Sequence, residues 1–179
     1  MTWELRVCAD QDNLPYSNRA GDGFENRLAR LVAEELGADL TYAWMPLPRQ
    51  GTDAELMLRL GECDVLIGAA DGQEPFLNTI DYYSNATYFV TRSDGGATIE
   101  SLDDPRLLGL QIGVDRGGPL DFALRSRVPQ SNLHHYLASD GADAILRDVA
   151  AGRLDVGIVR GAAAGYFAEA GATPMTVAP

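Results

Sequence analysis

Arg160 directly follows the apolar run Gly157-Ile158-Val159. A guanidinium at the carboxyl end of a strand can hold a carboxylate through two parallel hydrogen bonds, or it can be spent on a structural ion pair with a neighbouring acid; both readings stand here. Similar polar groups follow other apolar runs. In the first half, Asp10, Asn13 and Tyr16 follow "LRVCA", Ala70, Asp71 and Glu74 follow "VLIGA", and Tyr82 and Tyr83 stand in "DYYSN". In the second half, Asp115, Arg116 and Gly117 follow "LQIGV", and Asp140 follows "NLHHYLAS". Together with Arg160 these form the candidate ligand-binding set, because ligands of open parallel sheets collect outside the carboxyl ends of the strands. Helices beginning at Gly118 and Gly161 would aim free N–H groups into the same space, a setting that suits a small anionic ligand.

Other chemistries lack their spacing. "DRGGP" carries neither the Gly-x-x-x-x-Gly-Lys-Ser/Thr nor the Gly-x-Gly-x-x-Gly pattern of phosphate loops. "DQDN" opens like a calcium loop, yet Pro15 stands where the glycine should be and Gly21 where the bidentate glutamate should be. His134 and His135 are adjacent on a predicted strand, so they face opposite ways, one expected in the core and one on the surface. No Gly-x-Ser-x-Gly elbow is present. An enzymatic acid would have to come from Asp10, Asp71 or Glu74, and nothing in the sequence raises the pKa of any of them. The reading is therefore non-enzymatic, with no metal and no cofactor.

Cys8 and Cys63 are too few for a zinc site. Each sits by a predicted strand of the first half, so they either bridge, if those strands are neighbours, or pack as two buried thiols.

The elements that must position these groups read in two series. "LRVCAD" is a strand, "FENRLARLVAEELG" a helix closed by Gly37 with Phe24, Leu28, Leu31, Val32 and Leu36 on its buried face, and "LTYAW" a strand. "TDAELMLRLG", with Leu56 and Leu60 one turn apart, is a helix that feeds the strand "CDVLIGA". The second series runs "LQIGVD", a helix from Pro119, "NLHHYLAS", the helix "GADAILRDVAAG" and the strand "RLDVGIV". A further helix, "GAAAGYFAEAGA", and a short strand, "TPMTVA", follow. β-α-β-α-β order implies parallel strands with right-handed crossovers.

The same Gly-x-x-Asp-Val stretch appears in both series, with Asp64 standing as Asp155 does. Its physical meaning is a helix-to-strand turn: glycine takes the left-handed exit and the acid accepts backbone N–H groups. A carboxylate at the start of a strand lies at the wrong end for catalysis, so both aspartates are read as structural. The repeat predicts two α/β lobes, residues 1–92 and 93–179, with the boundary at Ser93-Asp94-Gly95-Gly96 and the candidate groups facing one another across a cleft.

With 179 residues and 46% hydrophobic content, the chain can bury a sizeable core and is not of the disordered class. Its net charge of −12 excludes nucleic acid as a partner. All 14 basic residues are arginine, which is read as a base-composition habit of the source. No apolar run approaches the roughly 20 residues needed to span a bilayer.

"LRVCADQDNLPYS", "GDGFENRLARLVAEELGADLTYAW", "LGECDVLIGA" and "DYYSNATYFVTR" resemble the cluster-two periplasmic solute-binding proteins over nearly the whole chain. Within them the similarity is to the J-type branch associated with quinoprotein dehydrogenases of methanol-oxidation clusters. The resemblance implies a type II two-lobed periplasmic-binding-protein-like fold and a periplasmic location, the signal peptide being absent from the sequence as given. It also implies a role assisting a PQQ-dependent methanol or alcohol dehydrogenase. Two other roles known on this fold are a transporter-linked receptor for a small anionic solute and a dehydratase of cyclic substrates. Amino-acid binders of this superfamily carry an arginine after the third strand and an aspartate after the "GRxDV" strand; here "AADGQEPFLNT" has no arginine and Arg160 holds the aspartate position. Relatives also return to complete the first lobe, so that lobe is expected to lack its return segment or to be completed by a partner chain.

Overall fold

A computed structural model describes residues 3–45, 52–69, 77–94, 98–137, 140–170 and 175–178. Two compact units divide the chain, Met1–Ser84 and Asn85–Pro179. In the first, β1 (Glu4–Asp10) lies between β4 (Asp39–Met45) and β5 (Val65–Leu66), all parallel. A two-stranded hairpin, β2 (Asp12–Asn13) and β3 (Ser17–Asn18), follows β1, and helices α1 (Phe24–Leu36) and α2 (Thr52–Leu60) make the two crossovers. Leu5, Val7 and Ala9 of β1 pack with Ala29 and Ala33 of α1, while Cys8 turns to the other side with Met45 and Cys63. That division is the period-two alternation of a strand covered on both faces.

The second unit repeats this plan and extends it. β7 (Ile112–Asp115) lies between β8 (Leu133–Tyr136) and β9 (Val156–Arg160), again parallel, with crossovers α3 (Pro119–Arg125) and α4 (Gly141–Ala150). β6 (Thr87–Arg92) then pairs antiparallel with β9, and β10 (Met175–Ala178), which follows α5 (Gly161–Ala170), pairs antiparallel with β6. The core is split by the sheet: Ile112, Val114, Phe89 and Ile158 pack with Leu107 and Leu124 on one side, and Val90 and Val159 pack with Ile145, Leu146 and Val149 on the other. Full burial of one such side chain stabilises the fold by about 2 kcal/mol.

Several expectations are corrected. The division falls between Ser84 and Asn85, not after Arg92, because β6 hydrogen-bonds to β9 and belongs to the second sheet. Leu31, Leu36, Leu56 and Leu60 are exposed, although helical spacing placed them inward. On α1 the small Ala29 and Ala33 face the sheet and let the helix approach it closely; on α2 Met57 and Leu58 turn inward instead. Neither histidine is in the core: both are exposed, His134 meeting Gln111 and His135 meeting Asp121. The segment between β1 and α1 contains the β2–β3 hairpin.

Asp64 and Asp155 occupy equivalent turns. Asp64 donates its N–H to the Arg6 carbonyl (2.8 Å) and accepts the Arg6 N–H on its carboxylate (2.9 Å). Asp155 does the same with Gln111, at 2.9 and 2.8 Å. The glycines three residues upstream, Gly61 (φ +71°) and Gly152 (φ +72°), both leave their helices through the left-handed region. Each aspartate thus pins its strand to the central one.

Candidate ligand-binding sites

In the first unit the carboxyl end of β1 carries Asp10, which is buried and accepts the Asp12 N–H at 2.8 Å. Its carbonyl accepts the Ser17 hydroxyl, which ties the hairpin to the strand end. The Asn13 carbonyl accepts the Tyr16 N–H at 2.8 Å, so Asn13 serves the turn through its main chain. Gly23 is required where it stands, because a Cβ there would lie 2.0 Å from the Tyr16 carbonyl oxygen.

Tyr16, Tyr82 and Tyr83 are brought together. Tyr16 packs on Phe24 (centroids 5.4 Å apart), Phe24 meets Tyr83 edge-on (5.3 Å), and Tyr83 meets Tyr82 (4.9 Å). Tyr82 and Tyr83 stay partly open, at 47% and 38% exposure, so the aromatic row presents a surface. The Tyr82 hydroxyl reaches buried Glu25 at 3.5 Å. Burial, then the nearby Glu25 carboxylate, raises the phenol's pKa, keeping it a neutral donor. Glu25 lies against Gly68 (φ +87°), where a Cβ would come within 2.6 Å of its carboxylate. Such a wall of rings and one buried acid suits a flat or apolar group with a polar edge. Ala70, Asp71 and Glu74 lie outside the described residues.

In the second unit Asp115 ends β7 and Arg160 ends β9. Burial raises the Asp115 pKa, and the positive charge of Arg160 opposes that rise. Arg160 is exposed. Its charge acts on Asp115, and its side chain is open to solvent. Arg116 is exposed and its N–H donates to the Tyr136 carbonyl (2.9 Å). Asp140 is exposed as well, its carboxylate taken by the Leu137 N–H at 2.8 Å, which closes the turn before α4. Gly161 lets the chain pass the Tyr88 ring, which a Cβ would approach to 2.3 Å.

Gly117 (φ +78°) donates its N–H to Asp121 at 2.7 Å. Asp121 escaped the sequence reading and organises this corner. It is fully buried, and it accepts from Arg125 (2.6 and 2.8 Å) and meets His135 (2.9 Å). Arg125 above all, then the Gly117 N–H and His135, hold its carboxyl below the usual range. Asn26 stands at the same third helical position in α1 and accepts the Gly23 and Asn18 N–H groups. The signal was legible: Gly-x-x-Asn and Gly-x-x-Asp at the two helix starts are variants of the capping box.

Among the described residues no cluster of His, Cys, Asp or Glu could hold a metal ion, and no helix is long and apolar enough to cross a membrane. Two α/β units of one plan, with polar and aromatic loops at the carboxyl ends of their parallel strands, define a protein of the binding-protein class. No protein-family model matches the chain. The chain is 35% identical to the periplasmic binding protein XoxJ from Methylobacterium extorquens AM1, whose crystal structure it matches with a TM-score of 0.75 over 98% of this chain and 76% of that one. It is 34% identical over 140 residues to protein MoxJ of Paracoccus denitrificans, covering 75% of this chain and 45% of that protein. Protein MoxJ of Methylorubrum extorquens is 29% identical over 197 residues, 98% of this chain and 62% of that protein. The chain belongs to the periplasmic binding proteins, in the family of XoxJ. It spans about half to two thirds of the length of the two curated relatives.

Proposed function

We propose that the protein is a non-enzymatic periplasmic accessory of a PQQ-dependent methanol or alcohol dehydrogenase, acting by protein contact or through a ligand held at its strand ends. The likeness to XoxJ, 35% identity over 98% of the chain, carries this reading. The strand ends support it by what they hold: Asp10 and Asp140 are committed to turns, and Asp121 is locked in an ion pair. Ring surfaces and committed carboxylates suit binding better than proton transfer. The net charge of −12 suits a basic partner surface and makes the association salt-sensitive. The test is co-elution with a PQQ-dependent methanol dehydrogenase at low ionic strength. A complex that dissociates as salt rises is expected, and two separate peaks at low salt overturn the reading.

Exposed Arg160 at the end of β9 favours a second reading, a receptor for a small anionic solute. A thermal-shift screen of carboxylates should then give a hit that Arg160→Ala removes. A screen with no hit ends that reading.

A further inference from the structure

The Asp121 corner of the second unit has a neutral counterpart in the first. Asn26 of α1 and Asp121 of α3 stand at the same third helical position, both fully buried, and both draw in the chain before their helix. Asn26 accepts the Gly23 N–H at 3.2 Å and Asp121 the Gly117 N–H at 2.7 Å, so an uncharged amide suffices to hold such a turn. A buried carboxylate costs desolvation unless it is paired, and here both of its oxygens are occupied. Oδ2 accepts from Gly117 and from Arg125 Nη2 (2.6 Å), while Oδ1 accepts from Arg125 Nε (2.8 Å) and meets His135 Nε2 (2.9 Å).

That last contact fixes the tautomer. A carboxylate offers only lone pairs, so the Nε2 facing it carries a hydrogen and donates. The proton a histidine gains between about pH 8 and pH 5 then goes to Nδ1 and turns a neutral hydrogen bond into a charge-assisted one. His135 is placed to gain it, since it lies on β8, the end strand of the sheet, with 26% of its side chain open to solvent, while Asp121 is wholly enclosed. Asp121 and Arg125 of α3 face it. Along the sheet Asp115 ends β7 one residue past Val114, the register partner of His135, and Arg160 acts on Asp115 from the end of β9. On the opposite face of β8, His134 meets Gln111, and Tyr136 meets Asp148 of α4, which Arg153 also holds.

We propose that His135 and Asp121 form a proton-operated positioning pair for the Asp115–Gly118 loop at the carboxyl end of β7. With His135 charged, the carboxylate is held fast and keeps the Gly117 N–H; with His135 neutral, the hold slackens and the loop opens more often. Both are positioning residues, acting on Asp115 and Arg116 through Gly117, and they make whatever the end of β7 holds more firmly held in acid. That use of the loop rests on the reading of the strand ends as a binding surface, whereas the coupling itself is a property of the chain alone.

Amide exchange and NMR of the intact chain, with no dehydrogenase and no added solute, test it between about pH 8 and pH 5. The protection factor of the Gly117 amide should rise roughly fivefold as His135 becomes charged, and the Gly117 amide shift should share its midpoint with the His135 ring resonances. His135→Gln keeps a side-chain N–H for Asp121 but has no proton to gain, so Gly117 should stay flat over the same range while Asp115 and His134 remain in place. If that variant does not fold, the wild-type midpoints decide alone. A Gly117 amide that ignores pH, that follows Asp115 or His134 in place of His135, or that changes equally in His135→Gln overturns the proposal. A chain that binds neither dehydrogenase nor solute, yet whose Gly117 follows His135, upholds the pair and overturns the proposed function instead.

Discussion

Leu154 rests on Gly113 in the second unit at the place where Cys63 is bonded to Cys8 in the first. A Cβ on Gly113 would lie 2.5 Å from the Leu154 Cδ1, while Cys8 and Cys63 are joined with their Cα atoms 5.5 Å apart. Both pairs link the central strand to the turn that starts the third strand. One unit closes this joint covalently and the other by packing, which makes the two units respond differently to the same treatments.

Reduction, or the pair Cys8→Ala and Cys63→Ala, should destabilise the first unit. The bridge closes a separation of 55 residues, which corresponds to roughly 4 kcal/mol of unfolded-state restriction. Urea unfolding with and without reductant measures it, and amide exchange should show the loss in β1 and β5 while β7 and β9 stay protected.

Gly113→Ala should cost the second unit about 1–3 kcal/mol, because the added methyl meets Leu154 and Ile145 (3.1 Å) with no room to move. Gly113→Cys with Leu154→Cys should instead oxidise to an intramolecular bridge, copying the first unit. Mass spectrometry of the unreduced protein checks it, two free thiols being the contrary result.

Asp121→Asn should cost about 2–3 kcal/mol, since the buried carboxylate satisfies Arg125, Gly117 and His135 at once. The folded carboxyl titrates below its unfolded value, so its contribution is present above pH ~4 and fades as pH falls towards the depressed folded value. Thermal melts between pH 7 and pH 2 should show the wild type losing stability over that acid window and Asp121→Asn losing less.

Asp115 runs the opposite way. Its folded pKa is raised by burial, so its contribution is fullest below the unfolded value and is lost as pH rises through the folded one. Asp115→Asn should therefore stabilise the second unit at pH 7 relative to acid pH. Arg160→Ala removes the charge that opposes the rise, and NMR titration of the Asp115 carboxyl should find it titrating higher still.

Much of this protein was decided along the chain. The period of the apolar residues, Gly37, Gly61 and Gly152 at helix exits, and Pro119 at a helix start determined the helices and the parallel strands they join. The repeated Gly-x-x-Asp-Val determined both strand-start turns, because an aspartate there can satisfy N–H groups only a few residues or one strand away. What tertiary structure decided was which neighbours those elements meet. Leu31, Leu36, Leu56 and Leu60 follow a helical period yet stay exposed, since burial depends on what lies opposite and not on the helix alone. β6 reads as the last strand of the first half, but its partners are β9 and β10, a pairing set by long-range register that no local pattern carries. The Tyr16–Phe24–Tyr83–Tyr82 row and the Asp121 corner likewise exist only once distant segments close, because ring contacts and charge pairs fall off within a few ångströms while their residues lie far apart in sequence.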